Sequence, residues 1–267
     1  MNVRWLVYLS VVCVGWSVAA SDPLPDGEVV IRRLLARAEA LAKAEQGPEF
    51  TYEKRVVIEE LDRQGRTVKS EERIYEGRWV AGLPLDRLVK IQGRSLTDAE
   101  LRHEAQREER LRQKFAGVDI KKKLAQKEAW VTSQLAERFE FETQERLILH
   151  GRPTLAVSFR PKPGKLPSQT TADRLINQLA GMVWVDEADT DVVKFSISLL
   201  APVSFGWFGI LGAIHRAEVM SERQRMPEAV WLPTRQSLLV EGRLAFHPFR
   251  FRVTERTDQF QLVATER

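Results

Sequence analysis

Acid–base, metal and nucleophilic chemistry each need particular side chains at particular spacings, and this sequence offers few of them. The chain of 267 residues has 4 histidines. His103 falls in a charged stretch, His150 in a turn signal, His215 after an apolar run and His247 in the last strand-like segment, so no two have metal-ligand spacing. The single cysteine, Cys13, lies near the N-terminus inside an apolar run. There is no G-x-S-x-G elbow, Walker loop, H-E-x-x-H helix, dinucleotide fingerprint or C-x-x-C pair. Asp186-Glu187-Ala188-Asp189-Thr190-Asp191 has the carboxylates of a calcium loop but lacks the glycine at its sixth position and the terminal glutamate, so a polar hairpin turn explains it better. Distant residues can still converge in space. Enzymatic activity is nevertheless the weaker expectation, and no catalytic residue, cofactor or metal is expected.

The residues that stand out are apolar. Ala201 to Ile214 is a run of fourteen uncharged residues containing Phe205, Trp207, Phe208, Ile210 and Leu211, spaced by Gly206, Gly209 and Gly212. It is too short to span a bilayer as a helix. On a surface it forms a patch of the kind that marks a binding site or a membrane contact, and folded against a sheet it is ordinary core. Phe195 and Ile197 share one parity with Val193 and Leu199, while Phe249 and Phe251 share one with Ala245, His247 and Val253. These alternations make one-sided apolar strands. An apolar face must be covered by the protein's own helices, by a ligand, or by both.

Elements to position these residues follow from the periodicity. Val30, Leu34, Leu35, Ala38, Leu41 and Ala42 recur at helical spacing until Gly47-Pro48. From Phe50 the period becomes two: Tyr52, Val56 and Ile58 alternate with charge, Asp62-Arg63-Gln64-Gly65 turns, and Arg73 to Val80 returns. Thr97 to about Arg138 is strongly charged and reads as one or two surface helices, with capping-box spacing from Thr97 to Glu100. Phe139, Phe141, Leu147 and Leu149 then share one parity, and Leu155, Val157 and Phe159 return after the turn at His150-Gly151-Arg152-Pro153. A short helix at Thr171 to Leu179 precedes strands at Met182–Asp186, Val192–Leu200, Ala217–Met226, Val230–Val240 and Leu244–Glu255. Strands joined by short turns make an antiparallel sheet, and one of roughly nine or more strands curls. The expected fold class is mainly β (α+β), a curved antiparallel sheet forming an unclosed β-barrel with a few covering helices.

Arg4, the apolar run Trp5 to Val18 and Val18-Ala19-Ala20 before Ser21 have the pattern of a cleaved secretory signal over residues 1–20, which leaves a single domain over 21–267 without a thiol. An uncleaved anchor is the alternative; a lipidated Cys13 is a lesser one, because Val12 stands where a small residue is usual. Hydrophobic residues make up 43% and charged residues 29%, which excludes disorder and a multi-span membrane protein. The 41 basic residues are interleaved with 37 acidic ones, so no nucleic-acid partner is expected, and Lys121-Lys122-Lys123 reads as a solvated face.

Three short motifs carry a family resemblance. Gly181-Met182-Val183-Trp184-Val185-Asp186, followed by the Val192 to Leu199 strand, resembles the G-x-h-W-h-D strand (h, hydrophobic) of outer-membrane lipoprotein-sorting-type proteins. Trp231-Leu232-Pro233 is similar to the W-L-P element of such proteins, and so is Gly93-Arg94-Ser95-Leu96-Thr97 before the charged helix. With a signal, one helix and a long meander, most of residues 28–260 resembles the LolA/LppX-like superfamily of periplasmic lipid and lipoprotein carriers. The resemblance implies a helix-covered half-barrel whose apolar cavity accepts an acyl chain, with no catalytic residue to transfer. It implies a monomeric periplasmic carrier of lipid or lipoprotein, served by a membrane-protein donor or acceptor. Phe195, Ile197, Phe205, Trp207, Phe208, Ile210, Leu211, Phe249 and Phe251 are then the expected groove and lid residues. The insertion at about 97–138 and the apolar run at 201–214 depart from the pattern and leave the cargo open. The alternative is a periplasmic sensor or scaffold that binds a protein partner through the charged insertion.

Overall fold

The computed structural model describes residues 22–43, 48–80, 83–115, 138–205 and 211–263. The expected signal segment, Cys13 and the lysine triplet lie outside them. Helix α1 (Gly27–Lys43) leads into β1 (Phe50–Leu61), β2 (Thr67–Val80), β3 (Leu83–Ile91) and the short β4 (Arg94–Ser95). Helix α2 (Asp98–Phe115) belongs to the charged insertion, and β5 (Phe139–Leu149) and β6 (Arg152–Pro161) follow it. Helix α3 (Thr171–Ile176) precedes β7 (Leu179–Asp186), β8 (Asp191–Leu199), β9 (Val203–Phe205), β10 (Gly212–Arg225), β11 (Trp231–Leu244) and β12 (His247–Leu262).

All 12 strands join one antiparallel sheet in the order β4-β3-β2-β1-β12-β11-β10-β8-β7-β6-β5, with β9 on β10. Neighbours follow one another in sequence except at two places: β10 pairs with β8, with β9 off the main path, and β1 pairs with β12 along ten register positions from Phe50↔Leu262 to Glu60↔Phe251. The sheet is not closed: β4 and β5 are its two ends, and the charged insertion runs from one to the other. One turn is shorter than the residue pattern indicates. Ala245, placed in the last strand by parity, instead sits in the β11–β12 turn with φ of 51°, so β12 begins at His247.

The same pattern also misplaces part of β5. Phe141 pairs with Phe159, but a bulge between Thr143 and Glu145 adds a residue, and beyond it Leu147 pairs with Thr154. One extra residue turns every later side chain to the opposite face. Leu147 and Leu149 therefore point away from the side shared by Phe139, Phe141, Leu155 and Val157.

Helix α1 lies on that side. Its Val30 and Ile31 are each 5% exposed and pack with Leu155, Val157 and Val185, flanked by Leu34, Leu35, Phe141 and Val183. Burying two such side chains contributes about 4 kcal/mol. Asp26 caps the helix by accepting from the Glu28 and Val29 amides at 2.8 and 3.2 Å. A second cluster, Phe50, Met226 and Leu232 with Val230 and Phe260, fills the end of the sheet where β1, β10, β11 and β12 meet.

The insertion protects one edge of the sheet. The Thr97–Glu100 capping box forms, with the Thr97 amide donating to Glu100 at 2.8 Å, and Arg94 grips the same carboxylate with two bonds of 2.8 Å. These donors, the Arg94 guanidinium first, hold the Glu100 carboxyl down at about 2. One turn on, the buried Glu104 accepts from the Leu88 amide at 3.0 Å and from Arg107, which itself donates to the Asp86 carbonyl. An anion and a cation of one helix thus satisfy an N–H and a C=O of the edge strand β3, groups that would otherwise invite another strand.

At the other end, buried Arg138 donates to Asp173 at 2.7 Å, to Asn177 at 2.9 Å and to the Pro167 carbonyl at 3.2 Å, fastening α3. The Thr170 amide first, then Arg138, holds the Asp173 carboxyl near 2, below its ordinary 3.8. A depressed carboxylate stabilises the fold above its ordinary range, and that contribution disappears as the pH falls towards the folded value. Wild type should therefore be more stable than Asp173→Asn near neutral pH, with the gap in urea midpoint closing between about pH 4 and pH 2. A gap that stays constant through that window would contradict the assignment.

Candidate functional site

The register places one set of apolar side chains in line across the middle of the sheet. Ile197 pairs with Val219, Val219 with Leu238, Leu238 with Val253 and Val253 with Ile58. In the next row Ala217 pairs with Val240 and Val240 with Phe251. The stripe crosses β8, β10, β11, β12 and β1, a span of about 19 Å at the usual strand spacing. It lies on the face that carries α1, since Val183 and Phe195 are paired on that face. None of these residues is buried, and Leu238 is 37% exposed.

On the opposite face the same strands carry charge. Arg252 meets Glu59, Arg250 meets Glu241, Arg55 meets Glu72, and Glu222 meets both Lys194 and Arg235. An antiparallel sheet with one solvated face turns its apolar face to a core. Here α1 covers the β5–β8 side of that face, and among the described residues no helix packs closely against β10, β11, β12 or β1.

Aromatic rings shape this face. Tyr52 lies opposite Gly77, Phe159 opposite Gly181, Phe205 opposite Gly212 and Phe249 opposite Gly242. At Gly77, Gly212 and Gly242 the ring occupies space a Cβ on the glycine would need, and at Gly181 the Phe159 ring stands 3.0 Å from it. A ring lying over a bare backbone covers glycine in a sheet and lets the strands bend. The Phe249 and Phe251 rings stack at 6.1 Å and 24°. Beyond the stripe the surface becomes polar: Ser221, Gln236 and Glu255 form the next row, and buried Tyr52 donates to Asp86 at 2.6 Å beside Lys54. Burial, and then the Asp86 carboxylate, push the Tyr52 hydroxyl well above its ordinary range, so it remains a neutral donor.

Of the residues singled out from sequence, Phe195, Ile197, Phe249 and Phe251 line this face, and Phe205 joins it at the end nearest the β11–β12 turn. Leu211 stands at that end, 62% exposed. Trp207, Phe208 and Ile210 lie outside the described residues. The reading missed the centre of the stripe, Val219, Leu238 and Val240. Their alternation in β10 and β11 was visible, but only strand pairing shows which residues align.

The acidic hexapeptide is a turn held by arginines. Asp186, fully buried, accepts from Arg152 at 2.5 and 2.8 Å and from the Asp189 and Ala188 amides at 2.7 and 3.1 Å. Burial alone raises its carboxyl, but Arg152 and these amides outweigh it and the net direction is down. Asp189 takes Arg225 at 2.6 Å and the Trp231 indole at 3.0 Å, and Asp191 takes Arg223 at 2.6 Å. Among the described residues no group of three or more His, Cys, Asp or Glu side chains is placed to hold a metal ion. A shallow, open depression of about 480 Å³ beside this turn is lined by Arg33, Ala36, Arg37, Ala188, Asp189 and Thr190, away from the stripe.

Solved structures similar to this chain include a DUF1329 family protein from Desulfovibrio piger, 9% identical with a TM-score of 0.33 over 89% of this chain and 94% of that one. Another is an outer membrane lipoprotein-sorting protein domain from Vibrio parahaemolyticus, 8% identical with a TM-score of 0.31 over 90% and 94%. A third comes from the complex of Pseudomonas aeruginosa MucA/MucB, 11% identical with a TM-score of 0.26 over 89% and 99%. The lipoprotein-sorting kind of protein is the one the sequence motifs resemble. No family model and no curated protein matches the sequence. Likenesses this distant assign no ligand and no residue role, so function has to be read from the stripe.

Proposed function

We propose that this chain is an exported, non-catalytic periplasmic carrier that shelters the acyl chain of a lipid or lipoprotein against the stripe. The observation behind this reading is the contrast between the two faces of β10, β11, β12 and β1. One is an ion-pair lattice; the other is apolar, half-exposed and continuous across five strands. Each methylene withdrawn from water contributes about 0.8 kcal/mol, so a sixteen-carbon chain represents about 12 kcal/mol before the costs of binding. A ligand of that shape suits the stripe because it is long, narrow and apolar throughout, with the polar row Ser221, Gln236 and Glu255 alongside.

Native mass spectrometry of protein purified without detergent should show a co-purifying lipid, and a fluorescent fatty acid should bind. Leu238→Glu and Val253→Glu place carboxylates in the stripe at partly exposed positions, and each should weaken probe binding at least tenfold while the protein stays folded. Arg252→Gln, on the opposite face, should bind as wild type does. A clean apo mass together with no probe uptake would overturn the proposal. In the alternative scaffold reading, the charged insertion binds a protein. Crosslinks from the exposed side of α2, with full function in Leu238→Glu, would favour it.

A further inference from the structure

We infer that one end of the sheet is a docking surface for an anionic lipid bilayer. At this end lie the β1–β2 turn, the close of β8, the start of β10 and the β11–β12 turn. It exposes large apolar side chains: Leu200 is 58% exposed, Leu211 62%, Leu244 61% and Phe246 90%. They belong to one surface. Leu244 pairs with Gly212, the Ala245 amide donates to the Leu211 carbonyl at 3.0 Å, and Arg250 donates to the Asp62 carbonyl at 2.7 Å, which ties the β1–β2 turn to the start of β12.

Phe246 has no structural reason for its identity. It occupies a tight turn, next to Ala245 at φ of 51°, where small polar residues normally serve. An aromatic ring at such a tip, with leucines around it, suits insertion among acyl chains at a membrane interface. The charge selects the partner. Arg63, Arg66, Arg216, Arg243 and Arg250 lie at this end; Arg66, Arg216 and Arg250 are paired with Asp62, Glu218 and Glu241, so the positive excess here is two charges, and His215 and His247 flank the tip. An apolar tip within a basic rim complements an anionic lipid surface. Phe205, Phe249 and Leu244 lie where the stripe reaches this end, so docking sets the stripe against the bilayer. The surface itself does not depend on the carrier reading, and the two are measured separately.

The test is sedimentation of the full chain with vesicles of phosphatidylglycerol and phosphatidylcholine, and with vesicles of phosphatidylcholine alone. The expected result is binding to the first that weakens with added salt, and at least a tenfold loss of partitioning in Leu244→Ser/Phe246→Ser. Both positions are exposed, so the melting temperature should not change. Ile148→Ser removes a side chain that is 65% exposed at the opposite end and should partition as wild type does. Equal partitioning of wild type and the double variant, an equal loss in Ile148→Ser, or no binding of wild type would each overturn the inference. Because soluble fatty-acid probe binding is read without vesicles, failure of docking and failure of carriage are distinct results.

Discussion

Gly181→Ala should destabilise the protein by about 3 kcal/mol, at the upper end for an added methyl group. The new Cβ would overlap the Ser196 carbonyl oxygen and sit 3.0 Å from both the Ile197 Cα and the Phe159 ring. Two of these contacts are backbone, so the β7–β8 pairing itself must move, and side-chain repacking alone cannot relieve the overlap. Gly65→Ala separates the two costs a glycine can hide. It lies in open space at φ of 78°, so only conformational strain opposes the methyl, worth about 1 kcal/mol. Urea unfolding of both variants measures the difference. If Gly181→Ala falls no further than Gly65→Ala, the close approach of β7 and β8 is not what the glycine serves.

Asp186→Ala should cost a comparable amount, about 3 kcal/mol, for an electrostatic reason. Removing one member of a buried pair leaves its partners without compensation. Arg152 and the Ala188 and Asp189 amides all lose their acceptor, although Arg152, at 29% exposed, can recover some water. Asp186→Asn keeps the shape and one acceptor and should cost less. Adding Arg152→Met to Asp186→Ala should restore part of the loss, because the second change removes the orphaned cation. A double variant whose loss is the sum of the two single losses would show that the pair is not coupled.

The sequence was legible wherever the signal was local. Parity in β6, β8 and β12 put Val157, Phe195 and Phe251 on the correct side, and the Thr97–Glu100 spacing became a capping box. It failed at Leu147 and Leu149, because the bulge in β5 leaves no mark on the pattern of residue types. Four aromatic rings opposite four glycines were invisible because their partners come from neighbouring strands whose register is set by turns and bulges. The arginines that fasten the acidic turn were equally silent: Arg152 precedes it by 34 positions and Arg225 follows Asp189 by 36. Of the candidate site, the aromatic ends were readable. The aliphatic centre was not, since Leu238 and Val219 gain meaning only from the strands beside them.

The pairing of β1 with β12 has a consequence for assembly. Before the last strand has been synthesised, β1 has a hairpin partner on one side only, and the chain can build no more than two separate stacks of strands. Their junction waits for contacts between segments about as far apart as the chain allows, so folding should be slow relative to domains dominated by local contacts. Deleting β12 should yield two unjoined stacks of strands rather than a weakened whole.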